Sequence, residues 1–144
     1  MRIGIDFDNT IAGYKRVFPS AARQMGLVPR EFSGDKTAVK KEICSAADGE
    51  ENWMRLQGQV YGAHMPEAEL IEGVGDFLIQ CRKNGAEVFV ISHKTEYGHF
   101  DEARINLRTA AMEWMTEKKF FTQTGYGLSP GQVFFESTRE EKVA

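Results

Sequence analysis

The chain has 144 residues, 42% of them hydrophobic and 27% charged, with a formal net charge of −3. A chain of this length buries roughly 68–70% of its unfolded surface, enough for a core without staples; an acidic balance with no long basic run argues against a nucleic-acid partner. No apolar stretch approaches a membrane span and the N-terminus reads as a strand rather than a signal peptide, so no membrane partner and a cytoplasmic location are expected.

Taken in chain order, the first signal is a short apolar strand around Ile3 and Ile5 that delivers two carboxylates, Asp6 and Asp8, to its end. In open α/β sheets ligands sit outside the carboxyl ends of the strands, which would place both acids at a binding crevice. Being two apart, they would point the same way along an ideal strand. The same Asp-Asn-Thr sequence is also compatible with an ordinary turn into a helix.

Phe18, Ala21, Ala22 and Met25 then recur at helical spacing, with Gly26 as a stop. Asp35 is placed to cap a helix carrying Val39, Ile43 and Ala46. Residues 47–52 read as a loop, and Trp53, Leu56, Val60 and Tyr61 return to helical spacing. Nothing between Gly13 and Met65 reads as a strand, which makes this a helical insertion longer than a βα connection needs. Trp53, Tyr61 and His64 are its residues best suited to touching a ligand, although an aromatic stripe at helical spacing usually belongs to a core.

A helix is predicted over 69–84, with Leu70, Val74, Phe77, Leu78 and Cys81 on one face and Gly85 as a left-handed cap. It feeds a strand, Val88 to Ile91, that ends in Ser92, His93 and Lys94. A further helix is expected from about Phe100 to Glu117, carrying Leu107, Ala110, Ala111, Trp114 and Met115. A third strand over 132–135 runs into Glu136, a single acid of the kind that usually serves a turn, and on toward Lys142. Cys44 and Cys81 match no metal spacing and read as packing thiols in a reducing compartment. Helices and strands alternate, so an α/β fold with a mainly parallel sheet is expected.

These residues resemble the haloacid dehalogenase superfamily of aspartyl phosphotransferases. The resemblance rests on Asp6-Phe7-Asp8-Asn9-Thr10 as a first motif, Ser92 after an apolar strand as a second, and Lys142 at a helix start as a third. It implies a Rossmann-like three-layer sandwich in which residues 1–12 and 66–144 form the core domain and 13–65 form a helical cap. It also implies a phosphatase that acts on a small phosphorylated metabolite through an aspartyl-phosphate. Asp6 would be the nucleophile and Asp8 the general acid and base. Thr10, Ser92, His93 and Lys142 would hold the phosphate, and Asp6 with Asp8 would hold Mg²⁺. An acid two residues after the nucleophile matches the phosphatases and phosphomutases of that superfamily, so transfer to an alcohol remains an alternative to hydrolysis.

The fourth motif of the superfamily, a pair of acids after one more strand, has no counterpart before Ala144. A phosphoryl-binding or partner-binding module with weak turnover is therefore a second reading. Ser137 with Glu140 and Thr138 with Glu141 are overlapping capping-box candidates that announce a helix with few residues left to form it. The chain is accordingly expected to continue past Ala144, or to be completed by a second copy pairing along the open edge of the sheet.

Overall fold

A computed structural model describes residues 1–136. Over these residues the chain is a mixed α/β protein with five α-helices and a three-stranded parallel sheet. In chain order the elements are β1 (Arg2–Ile5), β2 (Ala12–Gly13), α1 (Val17–Gln24), α2 (Lys36–Cys44), α3 (Gly49–Tyr61), β3 (Glu69–Leu70), α4 (Val74–Lys83), β4 (Glu87–His93), α5 (Leu107–Glu117) and β5 (Val133–Glu136). They fall into two compact units. Over the described residues the first takes 1–13, 69–95 and 112–136; the second takes 14–68 and 96–111.

In the first unit β4 lies at the centre, parallel to β1 on one side and to β5 on the other. Val88, Val90 and Ser92 alternate along β4 and are all buried, whereas Phe89 and Ile91 on its other face are only half-buried. This period of two is what a strand with one face on a core requires. On β5, Phe134 is 43% exposed. Gln132 ties the start of β5 back to the sheet by donating its side-chain amide to the Val88 carbonyl at 2.8 Å.

Two short elements here depart from the sequence reading. Ala12–Gly13 and Glu69–Leu70 pair antiparallel as β2 and β3, so Leu70 belongs to a strand and α4 begins only at Val74. The chain enters α4 through Gly73 at φ 91°, a conformation that breaks any helix continuing from residue 69. On α4 only Leu78 and Cys81 are buried, and Phe77 is 42% exposed, so the predicted apolar face is narrower than its spacing suggested.

The second unit is helical. α1 lies where the periodicity puts it, and α2 carries Val39 and Ile43 but ends at Cys44, which leaves Ala46 outside the helix and exposed; the Asp35 side chain caps α2 by accepting the Ala38 N–H at 2.9 Å. α3 starts at Gly49, four residues before the first periodic apolar position. Its first turn carries Glu50 and Glu51, charges that favour a helix N-terminus and convert part of the expected loop to helix. Phe18 stacks on Trp53 with ring centroids 5.5 Å apart, and Tyr61 packs edge-on against Tyr14 at 5.0 Å. Trp53 and Tyr61 thus belong to an aromatic core, and His64 pairs through Nδ1 with the Glu67 carboxylate. Cys44 is exposed, which removes it from the packing thiols; Cys81 is buried.

Residues 100–106 do not join α5. Phe100 and Arg104 have positive φ, and Asp101 accepts the N–H groups of Ala103 and Ile105 at 3.1 and 2.9 Å. A short acidic side chain that satisfies its own neighbours' amides competes with the helix for the backbone. In the same segment Gly98 lies against Gly58 of α3, where an added Cβ would come within 2.7 Å of the Gly58 Cα.

Candidate functional site

β1 ends at Ile5, opposite Val90 of β4. Asp6 and Asp8 therefore leave the sheet just as β4 approaches Ser92, and the strand alternation that would align their side chains does not extend to them. A tight turn replaces it. Phe7 between them is fully buried, its ring edge-on to Trp114 at 5.6 Å and to Phe135 at 5.9 Å. Its carbonyl accepts the N–H groups of Thr10, Ile11 and Ala12 at 3.2, 2.8 and 3.1 Å. Asn9 takes φ 64°, a left-handed conformation that Asn tolerates better than most residues. A buried ring and a many-fold acceptor thus anchor the peptide that carries both acids.

The two carboxylates have different partners. Asp6 Oδ1 accepts the Phe7 N–H at 2.7 Å. Asp8 faces Lys94, whose Nζ lies 3.0 Å from Oδ2 and 3.3 Å from Oδ1. The Lys94 side chain is only 3% exposed, against 20% for Asp8. Its Nζ also stands 5.6 Å from the centre of the Phe7 ring, and its backbone N–H donates to the Glu136 carbonyl at 2.9 Å. A buried ammonium needs such a partner, because an isolated charge out of water is costly.

The remaining expected residues divide. Ser92 is buried, 1% exposed, at the carboxyl end of β4, where it pairs with Phe135 of β5. His93 ends the strand and is exposed; Thr10 is exposed in the turn after Asp8. Lys142, Ser137, Thr138, Glu140 and Glu141 lie outside the described residues. Glu136 closes β5 and contributes its carbonyl to Lys94. The residue that sequence reasoning undervalued is Lys94. Its one signal was position, directly after the central strand, which ends at His93.

The donor chemistry suits a hard cation. Mg²⁺ is commonly held by one or two carboxylates, with water and substrate phosphate completing its shell, and Asp6 and Asp8 are two such donors on one turn. Among the described residues no group of three or more His, Cys, Asp or Glu side chains is gathered in a metal-binding arrangement, and no helix is long and apolar enough to cross a membrane. No protein-family model matches the chain, and no curated protein is significantly similar to it.

Proposed function

We propose that the chain is a Mg²⁺-dependent phosphatase of the haloacid dehalogenase type that hydrolyses a small phosphate ester. In this reading the parallel sheet is the centre of a Rossmann-like three-layer core, and the helical segment 13–65 is its cap. The observation that carries it is the buried Lys94 ammonium on the Asp8 carboxylate, two residues from Asp6 and two from Ser92. Phosphoryl transfer asks for a nucleophile, fixed positive charge and a proton carrier in one place, and Asp6, Lys94 and Asp8 are suited to these parts.

Asp6 is the nucleophile. One carboxylate oxygen bonds to phosphorus as the bond to the ester oxygen breaks, which divides one difficult displacement into two easier ones. Asp8, in its protonated form, delivers its proton to the departing alcohol and is left as the carboxylate. It then accepts a proton from the water that attacks phosphorus, breaking the bond to Asp6 and releasing inorganic phosphate. Lys94 supplies the fixed cation expected of Lys142, and an ammonium held away from water acts more strongly on phosphate oxygens than one in solvent. Ser92 offers a hydroxyl donor to one of those oxygens. Mg²⁺, held by Asp6 and Asp8, would neutralise charge on the transferring group.

Calorimetric titration with Mg²⁺ and beryllofluoride, a mimic of the aspartyl-phosphate, tests the reading without a guess about substrate. Heat of binding is expected with the chain as it stands and none with Asp6→Asn. Absence of binding to both proteins would remove the phosphatase reading.

A further inference from the structure

Several cations of this chain stand over aromatic rings: Lys36 over Phe18 at 5.1 Å, Lys40 over Trp53 at 5.7 Å, Arg55 over Phe100 at 5.3 Å and Lys94 over Phe7 at 5.6 Å, measured from the charged centre to the ring centroid. Distance does not separate them, but burial does. Lys36 and Arg55 are half-buried and Lys40 is exposed, whereas Lys94 and Phe7 are 4% and 0% exposed. The attraction of a cation for a ring face is modest in contact with water and strongest where both partners are desolvated. Of these pairs, Lys94 and Phe7 are therefore the one in which the ring contributes most.

The ring is also fixed. Phe7 meets Trp114 at 5.6 Å and Phe135 at 5.9 Å, contacts of the T-shaped kind that hold a ring's orientation. It precedes Asp8 directly, so adjacent residues of one turn present a ring and a carboxylate to the same ammonium, whose Nζ lies 3.0 Å from Asp8 Oδ2. The two partners act differently. A carboxylate accepts hydrogen bonds, and phosphate oxygens arriving at the ammonium compete with it for the same N–H groups. The ring face attracts the charge through its quadrupole and offers no lone pair to be displaced. An aliphatic side chain at position 7 would fill the core without that attraction.

We propose that Phe7 is a positioning residue for the Lys94 ammonium, holding it by the ring face while phosphate oxygens draw on it. Its use at the candidate site rests on the phosphatase reading; the coupling between ring and ammonium does not. The apolar residue between Asp6 and Asp8 thereby has an electrostatic role besides its place in the core.

Truncating Phe7 would remove the core contact and the ring face together, so the test keeps the ring and alters its charge. The full chain carrying mono-, di- or trifluorinated phenylalanine at position 7, introduced by amber suppression, loses negative charge from the ring face stepwise with little change in shape. Urea unfolding is expected to show the folding equilibrium constant falling with each fluorine, by roughly fivefold in all, and the same series in Lys94→Met is expected to be flat. The Lys94→Met series removes the effect of fluorine on the contacts with Trp114 and Phe135. Affinity for beryllofluoride with Mg²⁺, read by calorimetry, is expected to fall by a similar factor. A fluorine response as steep in Lys94→Met as with Lys94 in place overturns the coupling. Beryllofluoride affinity that stays level across the series overturns the positioning role and leaves the phosphatase reading standing. No beryllofluoride binding with Phe7 unaltered removes that reading, and the role at the site with it, while the urea series still decides the coupling.

Discussion

The turn after β1 and the helix α3 each hold an ion pair of similar length, 3.0 Å between Lys94 and Asp8 and 2.8 Å between Arg55 and Glu51. Their surroundings are opposite. Arg55 and Glu51 are 40% and 42% exposed, while Lys94 is 3% exposed. The hydrogen bond that Arg55 donates to the Glu51 carboxylate holds its guanidinium above its ordinary range, yet that group is protonated at every working pH, folded or unfolded. The contrast teaches that distance does not rank ion pairs. An exposed pair gives up hydration for little and is screened by salt, whereas a buried ammonium deprived of its carboxylate is left as uncompensated charge.

Asp6→Asn breaks the comparison most sharply on the functional side. It leaves the Lys94 pair intact and is expected to cut phosphate release from p-nitrophenyl phosphate by a factor on the order of 10⁴ or more, as loss of a nucleophile does. Urea unfolding should show a nearly unchanged midpoint. Phe7→Ala attacks the support beneath the buried pair. Removing a ring at 0% exposure should cost about 3–5 kcal/mol in the same urea experiment.

Lys94→Met tests the pair directly. Because Asp8 keeps some access to water, the expected cost is about 2 kcal/mol, below that of a fully buried pair, accompanied by loss of phosphate release. Asp35→Ala is a control from the second unit: losing one helix cap should cost about 1 kcal/mol. Glu51→Gln completes the series. It removes an exposed pair and one favourable charge from the first turn of α3, so its thermal midpoint should fall only slightly; a drop as large as that of Lys94→Met would show that exposure does not separate the two pairs.

Much of the helical scaffold was legible because it obeys periodicity and capping. Asp35 announced α2, the continuous apolar run from Val88 to Ile91 announced β4, and Gly85 at φ 71° closes α4 as its sequence position suggested. What escaped was structure too short for a period or decided by tertiary contact. β2 and β3 contain two residues each, and a two-residue ladder carries no alternation. The segment 100–106 follows the side chain of Asp101 rather than its own helical propensity. At the candidate site the order of Asp6, Asp8 and Ser92 could be read directly. The position of Lys94 after the strand was legible too, but its burial against Asp8 was not, since most lysines are exposed and only the fold reveals one that is not.

The Phe7 carbonyl, which gathers three amides onto one oxygen, has a consequence for hydrogen exchange. A carbonyl offers two lone pairs, so three donors share one acceptor, and Ile11 at 2.8 Å holds the shortest of the three bonds. Displacing that single oxygen exposes Thr10, Ile11 and Ala12 together. Their deuterium uptake should follow one opening event, making the peptide that carries both candidate carboxylates a single cooperative unit of local unfolding.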